Sequence, residues 1–305
     1  MLSWIVGRRG LLGSAVSRSI GSEFIGTQVP WEDHDAAAAA LDSDLDEYIR
    51  AARDDDWSVI WAAGSGVIGS TIDKLAAETR IMSHLLTRIR ESRPTGRGAF
   101  FLSSSAGGIY AGSTNPPFSE STAPQPLSPY GEAKLAQEEI SRSTLEGCVP
   151  LVIGRLSNLA GPGQNVMKPQ GLVSQLCRAA VTRQSVNVFV PMETLRDYLY
   201  VDDAAAMVRT LVQRAVETQP AAPVLRNLSS QRPLPVCAVL RTVEQVAHRT
   251  VRIALGTSPS TRYQVRDLRL CTQFAQDFQG VAITPFPVAV KRVYDDVLRR
   301  QLSPN

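Results

Sequence analysis

Tyr130 and Lys134 stand four residues apart within Ser128-Pro129-Tyr130-Gly131-Glu132-Ala133-Lys134, and together they could move a proton. Ser128 followed by Pro129 reads as a helix start, with serine as N-cap and proline at the first helical position. Tyr130 and Lys134 then share one helix face at i and i+4. An ammonium close to a phenol favours the phenolate, so the tyrosine could exchange a proton with an alcohol or a carbonyl. Lysine is scarce in this chain, four residues (74, 134, 168 and 291) against 28 arginines, which makes the spacing informative. Taken alone, the pair would also suit a solvated helix face. The run Ser103-Ser104-Ser105 ends an apolar stretch upstream and offers a hydroxyl that could hydrogen-bond the reacting oxygen beside the tyrosine. By themselves, three serines at a strand end are ordinary loop chemistry.

Gly7-Arg8-Arg9-Gly10-Leu11-Leu12-Gly13 places three glycines at intervals of three directly after an apolar run. A tight turn without Cβ atoms, opening onto a helix N-terminus, lets backbone N–H groups reach a pyrophosphate. Gly64-Ser65-Gly66-Val67-Ile68-Gly69 has the literal GxGxxG form and competes for that role. It follows a later strand, whereas a doubly wound sheet carries its phosphate loop after the first. Ala62, Ala63 and Gly64 would then lie beside the cofactor's ribose or adenine. NAD and NADP both stay open. Asp33, twenty residues beyond Gly13, stands at the distance of a ribose-binding acid, while Arg8 and Arg9 could meet a 2′-phosphate.

The elements that must position these residues alternate along the chain. Strands are expected at Leu2–Val6, Phe24–Val29, Ser58–Ala63, Ala99–Ser103 and Pro150–Arg155. Helices are expected from Ser14, from Asp35 to Ala52, and at Asp73–Arg90, Pro129–Leu145, Leu172–Arg183 and Val201–Val216. Such alternation predicts an α/β fold with a parallel sheet covered on both faces. Beyond about residue 160 prolines interrupt the pattern. The expected organisation is a dinucleotide-binding domain at 1–160, rejoined by 196–216, and a smaller, less regular substrate lobe at 161–195 and 217–300. The tail from Gln301 is expected to fray.

Composition excludes several classes. With 305 residues, 44% hydrophobic and 20% charged, the chain is an ordinary globular protein with a sizeable core. A net charge of +3 without a basic block gives no support to nucleic acid as a partner, and no apolar run is long enough for a membrane span. Cys148, Cys177, Cys237 and Cys271 are scattered, and so are His34, His84 and His248, so neither a disulfide framework nor a metal site is expected. No GxSxG elbow or GKS/T loop occurs. Met1 to Ser22, with three arginines, several serines and no acid, has a transit-peptide flavour, but reads better as strand, glycine turn and helix. The lone sequon at Asn227 carries little weight, and the expected location is the cytoplasm.

Taken together the motifs resemble the extended short-chain dehydrogenase/reductases, the NAD-dependent epimerase/dehydratase family, over about residues 2–215. The resemblance rests on Gly7-x-x-Gly10-x-x-Gly13, Ala62-Ala63-Gly64, Ser103-Ser104-Ser105 through Ile109-Tyr110, Glu120, Ser128-Pro129-Tyr130-Gly131-x-x-Lys134, Arg155-x-x-Asn158-x-x-Gly161-Pro162-Gly163 and Arg196-Asp197-Tyr198-x-x-Val201-Asp202-Asp203. It implies a Rossmann-type doubly wound sheet, NAD or NADP as cofactor, and a nucleotide-linked sugar as substrate. By position Tyr130 becomes the general acid/base. Lys134 binds the nicotinamide ribose and supports the phenolate, and Ser105 orients the substrate, with Ser104 as its alternative. Ser103 joins the cofactor contacts, Asn158 lines the substrate site and Arg196 meets a nucleotide diphosphate. A homodimer formed through two helices, one carrying Tyr130 and Lys134, is implied in the same way.

Two departures stand out. The stretch from Gly13 to Ala62 is short, as if one βα unit were trimmed. Ala106-Gly107-Gly108 replaces the acidic pair that the family's 4,6-dehydratases carry after the catalytic hydroxyl, which argues for epimerisation or keto-sugar reduction over dehydration. A non-nucleotide carbonyl substrate and a non-catalytic dinucleotide sensor are the competing readings.

Overall fold

The computed structural model describes residues 1–64, 66–167 and 171–302. The first half forms β1 (Leu2–Val6), α1 (Leu11–Ser19), β2 (Glu23–Phe24), α2 (His34–Ala52), β3 (Trp57–Trp61), α3 (Ile72–Glu91), β4 (Gly98–Ser105), a one-turn α4 (Ala106–Ile109), α5 (Pro129–Leu145) and β5 (Leu151–Leu156). There follow β6 (Asn158–Ala160), α6 (Leu172–Thr182), β7 (Val186–Val188), β8 (Leu195–Arg196), β9 (Tyr198–Tyr200), α7 (Val201–Thr218) and β10 (Val224–Leu228). The chain ends with β11 (Leu234–Pro235), α8 (Val236–Ala247), β12 (Ile253–Leu255), β13 (Asp267–Leu268) and α9 (Phe286–Leu302).

The main sheet has the order β10-β5-β4-β3-β1-β2 and every pairing in it is parallel. Its central strands are buried on both faces, which is why Trp57-Ser58-Val59-Ile60-Trp61 reads as an unbroken buried run. Helices α2, α3 and α5 close one face around Leu41, Tyr48, Met82 and Leu85. Helices α1 and α7 close the other around Val16, Val208 and Leu211. From β1 the chain goes to β2 on one side and to β3 on the other, so the strand order reverses at β1. This is a Rossmann-type doubly wound sheet, and its ligand crevice lies at the C-terminal ends of the strands around that switch point.

Only one βα unit separates β1 from β3, and its strand is shorter than expected, two residues in place of Phe24–Val29. The reason lies in Asp44 of α2. Both its carboxylate oxygens accept the Thr27 N–H, at 2.9 and 3.0 Å, which turns that donor away from the ladder. Residues 224–228, expected in the smaller lobe, instead form β10 at the edge of the main sheet, paired to β5. A separate apolar cluster joins α6, α8 and α9 through Leu176, Val239, Val243, Val290 and Val293. Residues 1–22 build β1 and α1. Helix α9 runs through Leu302, so Gln301 is helical and not frayed. Residues 303–305 and Lys168 lie outside the described residues.

Candidate active site

The glycine turn sits between β1 and α1 at the switch point. Gly7 has φ +90°, and a Cβ there would lie 2.5 Å from the Ala63 nitrogen. A Cβ on Gly13 would collide with the Gly7 carbonyl oxygen. The turn closes with Gly10 N–H donating to Gly7 O at 2.9 Å. No side chain caps the N-terminus of α1, so the free N–H groups of Leu11, Leu12 and Gly13 face the crevice. Ala62 N–H donates to Val6 O at 2.9 Å, which seats Ala62 and Ala63 against the turn. The cradle is shaped for a pyrophosphate: close backbone, unpaired donors and a helix dipole. Arg8 Nε donates to Glu23 at 2.8 Å and Arg9 donates to Gln28 Oε1 at 2.7 Å.

One expectation is corrected here, and the competing glycine segment is occupied by a side chain. Asp33 is not placed as a ribose acid, since its carboxylate caps α2, accepting N–H groups of Asp35 at 3.1 Å and Ala36 at 3.0 Å. The second glycine segment holds a carboxylate in the place a phosphate would need, because Glu78 of α3 accepts the Gly66 N–H at 3.3 Å and packs against Gly64. Ser65 lies outside the described residues.

At the end of β4, Ser105 caps α4 by accepting the Gly108 N–H at 3.2 Å. Ser128 caps α5 by accepting the Gly131 N–H at 3.2 Å, with Pro129 at the first position as expected. The half-buried Tyr130 ring lies flat enough on Gly108 that a Cβ there would come within 3.0 Å of it, and Gly131 is pressed against the Gly108 carbonyl. Gly108 therefore holds Ser105 and Tyr130 to one spot. One turn along α5, the buried Lys134 ammonium donates to Gln137 Oε1 at 2.9 Å and pairs with Glu78 at 3.4 Å.

Strand alternation decides among the serines. Ser103 shares Ser105's face, and Ser104 points to the other, where its hydroxyl donates to Glu138 at 2.6 Å. Glu138 in turn receives two N–H groups of the buried Arg155, at 2.9 and 2.7 Å, and Arg155 donates to Tyr110 Oη at 2.7 Å. Burial raises the Tyr110 phenol above the usual tyrosine range. Ser104 is thus part of the buried scaffold and is removed from the candidate substrate contacts.

The substrate side is joined to this spot through β5. Ser105 pairs with Leu156, and two residues on Asn158 donates its side-chain amide to Asp197 O at 2.9 Å. Arg196, on the neighbouring β8, pairs with Leu268, which in turn approaches Gly107. Arg196 is 8% exposed, and among the described residues its guanidinium donates to two neutral oxygens, Leu195 O at 2.8 Å and Gln264 Oε1 at 3.1 Å. Among the described residues no carboxylate pairs with it, and burial pulls it below the usual arginine range. The Asp267 carboxylate attracts it without a direct ion pair, so the buried cation is only partly compensated and could accept an oxyanion partner.

Glu78, Gln137, Glu138 and Gln264 were not singled out by motif. A signal existed for three of them. Glu78 interrupts the buried stripe Leu75, Met82, Leu85 and Leu86 of α3, and the buried face of α5 is polar at Lys134, Gln137, Glu138 and Ser141.

A glycine turn at the switch point of a parallel doubly wound sheet, with Ser105 at the end of β4 and Tyr130 and Lys134 on the first turns of α5, is the arrangement that known proteins must match. The chain belongs to the NAD dependent epimerase/dehydratase family, whose profile matches residues 4–223. A stretch of 101 residues, 32% of this chain, is 37% identical to dTDP-L-rhamnose 4-epimerase of Burkholderia thailandensis, and covers 28% of that relative's length. The fold superposes on UDP-glucose 4-epimerase of Thermotoga maritima with a TM-score of 0.78 at 17% identity, over 99% of this chain and 100% of that one. It also superposes on RMD from Pseudomonas aeruginosa, solved with NADPH, with a TM-score of 0.75 at 17% identity, over 98% and 99%. Among the described residues no helix is long and apolar enough to cross a membrane, and no group of His, Cys, Asp and Glu could hold a metal ion.

Proposed function

We propose that this chain is a nicotinamide-dinucleotide-dependent oxidoreductase or epimerase of a nucleotide-linked sugar, acting at a sugar carbinol or ketone. The turn Gly7–Gly13 would hold the pyrophosphate, with Arg8 and Arg9 toward the adenosine, Ala62, Ala63 and Gly64 beside the ribose or adenine, and Ser103 among the cofactor contacts. A nicotinamide bound here would supply the acceptor and donor of the hydride. Tyr130 Oη takes the hydroxyl proton as a carbinol is oxidised and returns a proton to the oxygen when a ketone is reduced. Ser105 Oγ accepts the Gly108 N–H, which leaves its own proton to donate to the same substrate oxygen. Lys134, held by Gln137 and Glu78 one turn along α5, offers its remaining donor to a ribose hydroxyl.

The observation that carries the nucleotide-linked substrate is the buried Arg196 with no carboxylate hydrogen-bonded to it among the described residues, one position before Asp197, whose carbonyl receives the Asn158 amide. A diphosphate supplies the hydrogen-bonded counter-charge it lacks. Similarity to a dTDP-sugar epimerase supports the same reading. The test is calorimetric titration with UDP and dTDP. At least one should bind, and Arg196→Gln should remove that binding while leaving dinucleotide affinity unchanged. A wild-type chain that ignores both diphosphates overturns the nucleotide-linked substrate. Dinucleotide released on denaturation separates the two chemistries, because an epimerase regenerates its cofactor within each turnover and a reductase must exchange it.

A further inference from the structure

A cavity of about 280 Å³ opens at the C-terminal ends of β1 and β2, on the side of the switch point away from Tyr130. Gly7, Arg8 and Arg9 form one wall and Thr27, Gln28 and Trp31 another. Of the nearby acids Asp44 alone lines it, and Glu23 and Asp33 stand outside the lining with partners of their own. Glu23 holds Arg8 at 2.8 Å and the Ser17 hydroxyl at 2.6 Å. Asp44 is 2% exposed with both oxygens on the Thr27 N–H, and Asp33 caps α2. Among the described residues Asp44 is the one carboxylate that lines the cavity, and it is buried on the Thr27 N–H, so the lining offers a 2′-hydroxyl no exposed carboxylate of the kind that selects NAD.

The cations are the opposite case. Arg9 donates to the neutral Gln28, at 2.7 Å, and among the described residues no carboxylate pairs with it at the cavity wall. Arg8 stands beside it, 44% exposed, with Glu23 as its counter-charge. Two guanidiniums against one carboxylate leave the wall positive, and the planar fork of arginine matches a phosphate. Ile25 and Trp31 also line the cavity, 65% and 38% exposed, and Trp31 is held edge-on against Trp61 at 6.0 Å. Exposed apolar side chains beside a phosphate-sized positive wall suit a purine base and its phosphorylated ribose.

Resting on the dinucleotide reading above, we infer that Arg8 and Arg9 form a 2′-phosphate subsite, and that the chain takes NADP(H) in preference to NAD(H). The preference is a property of the adenosine side and is independent of turnover. It is tested by calorimetric titration of the full chain with NADPH, NADH, adenosine 2′,5′-bisphosphate and adenosine 5′-monophosphate. NADPH should bind about tenfold or more tightly than NADH, the worth of a charge-assisted hydrogen bond or two. The bisphosphate should likewise bind more tightly than the monophosphate. Arg9→Gln, an exposed substitution, should remove most of the discrimination by weakening NADPH alone, and Arg8→Gln should remove part of it. NADH binding as tightly as NADPH overturns the subsite and leaves the proposed function standing, as does an Arg9→Gln variant that weakens both equally. Binding of neither dinucleotide overturns the proposed function itself.

Discussion

The Lys134 ammonium lies 3.4 Å from the Glu78 carboxylate, and the two side chains are only 8% and 9% exposed. Gln137 touches both, accepting from Lys134 at 2.9 Å and donating to Glu78 at 3.4 Å. Glu78 also accepts the Gly66 N–H, so one carboxylate fastens the β3–α3 loop to the helix that carries Tyr130. Removing one member of a buried pair leaves the other as an uncompensated charge. Glu78→Leu should therefore lower the unfolding free energy by about 3–5 kcal/mol, read from urea denaturation with an unchanged m-value. A loss no larger than that of a surface substitution would refute the buried pairing.

Tyr130 is positioned by contacts that do not involve its hydroxyl: the ring rests on Gly108 and the helix start is fixed by Ser128. Tyr130→Phe should then keep the fold and the dinucleotide affinity while reducing turnover by about 10²–10⁴-fold, the range for loss of a general acid/base. Steady-state rates and a binding titration on the same preparation check both halves. Near-normal turnover removes Tyr130 from the chemistry.

Glu138 and Arg155 form a second buried pair, bidentate, with Ser104 and Tyr110 completing it. Arg155→Leu should cost about 3–5 kcal/mol, since Glu138 is left unpaired in the interior. The double variant Arg155→Leu/Glu138→Leu should recover a large part of that loss, because both desolvated charges are gone. Additive losses in the double variant would show that packing, and not the orphaned charge, sets the cost.

What the sequence disclosed about the site follows from distance along the chain. The glycine turn and the stretch Ser128 to Lys134 are local devices, in which cap, proline and i,i+4 spacing are all written within seven residues, and α5 begins and ends at the expected Pro129 and Leu145. Partners brought in from afar were not written that way. Glu78 reaches Lys134 across 56 positions, and Glu138 reaches Ser104 across 34. Ser104 was recoverable in principle, because a strand ending in three serines must turn the middle one away from its neighbours. Asp33 misled because an acid before a helix is as good a cap as a ribose ligand. Strand β10 escaped notice because prolines on either side of Val224 to Leu228 resemble loop punctuation.

Alkali should unfold the chain by way of its buried phenols. Burial pushes Tyr198 up to about 12, raises Tyr110, and places Tyr48 far above the usual tyrosine range despite its hydrogen bond to Ser58. Tyrosines of an unfolded chain ionise near pH 10. Between that value and the higher folded ones, the unfolded chain holds fewer protons than the native one. Stability is thus fully present below about pH 10 and falls as pH rises toward 12. Tyr198 alone contributes on the order of 3 kcal/mol to that fall, from about two units at 1.36 kcal/mol each. Melting temperature followed from pH 8 to 12, together with phenolate absorbance, is the measurement. Ionisation of these phenols should coincide with loss of structure. A smooth titration of all seven tyrosines near pH 10, with the melting temperature unchanged, would contradict their burial.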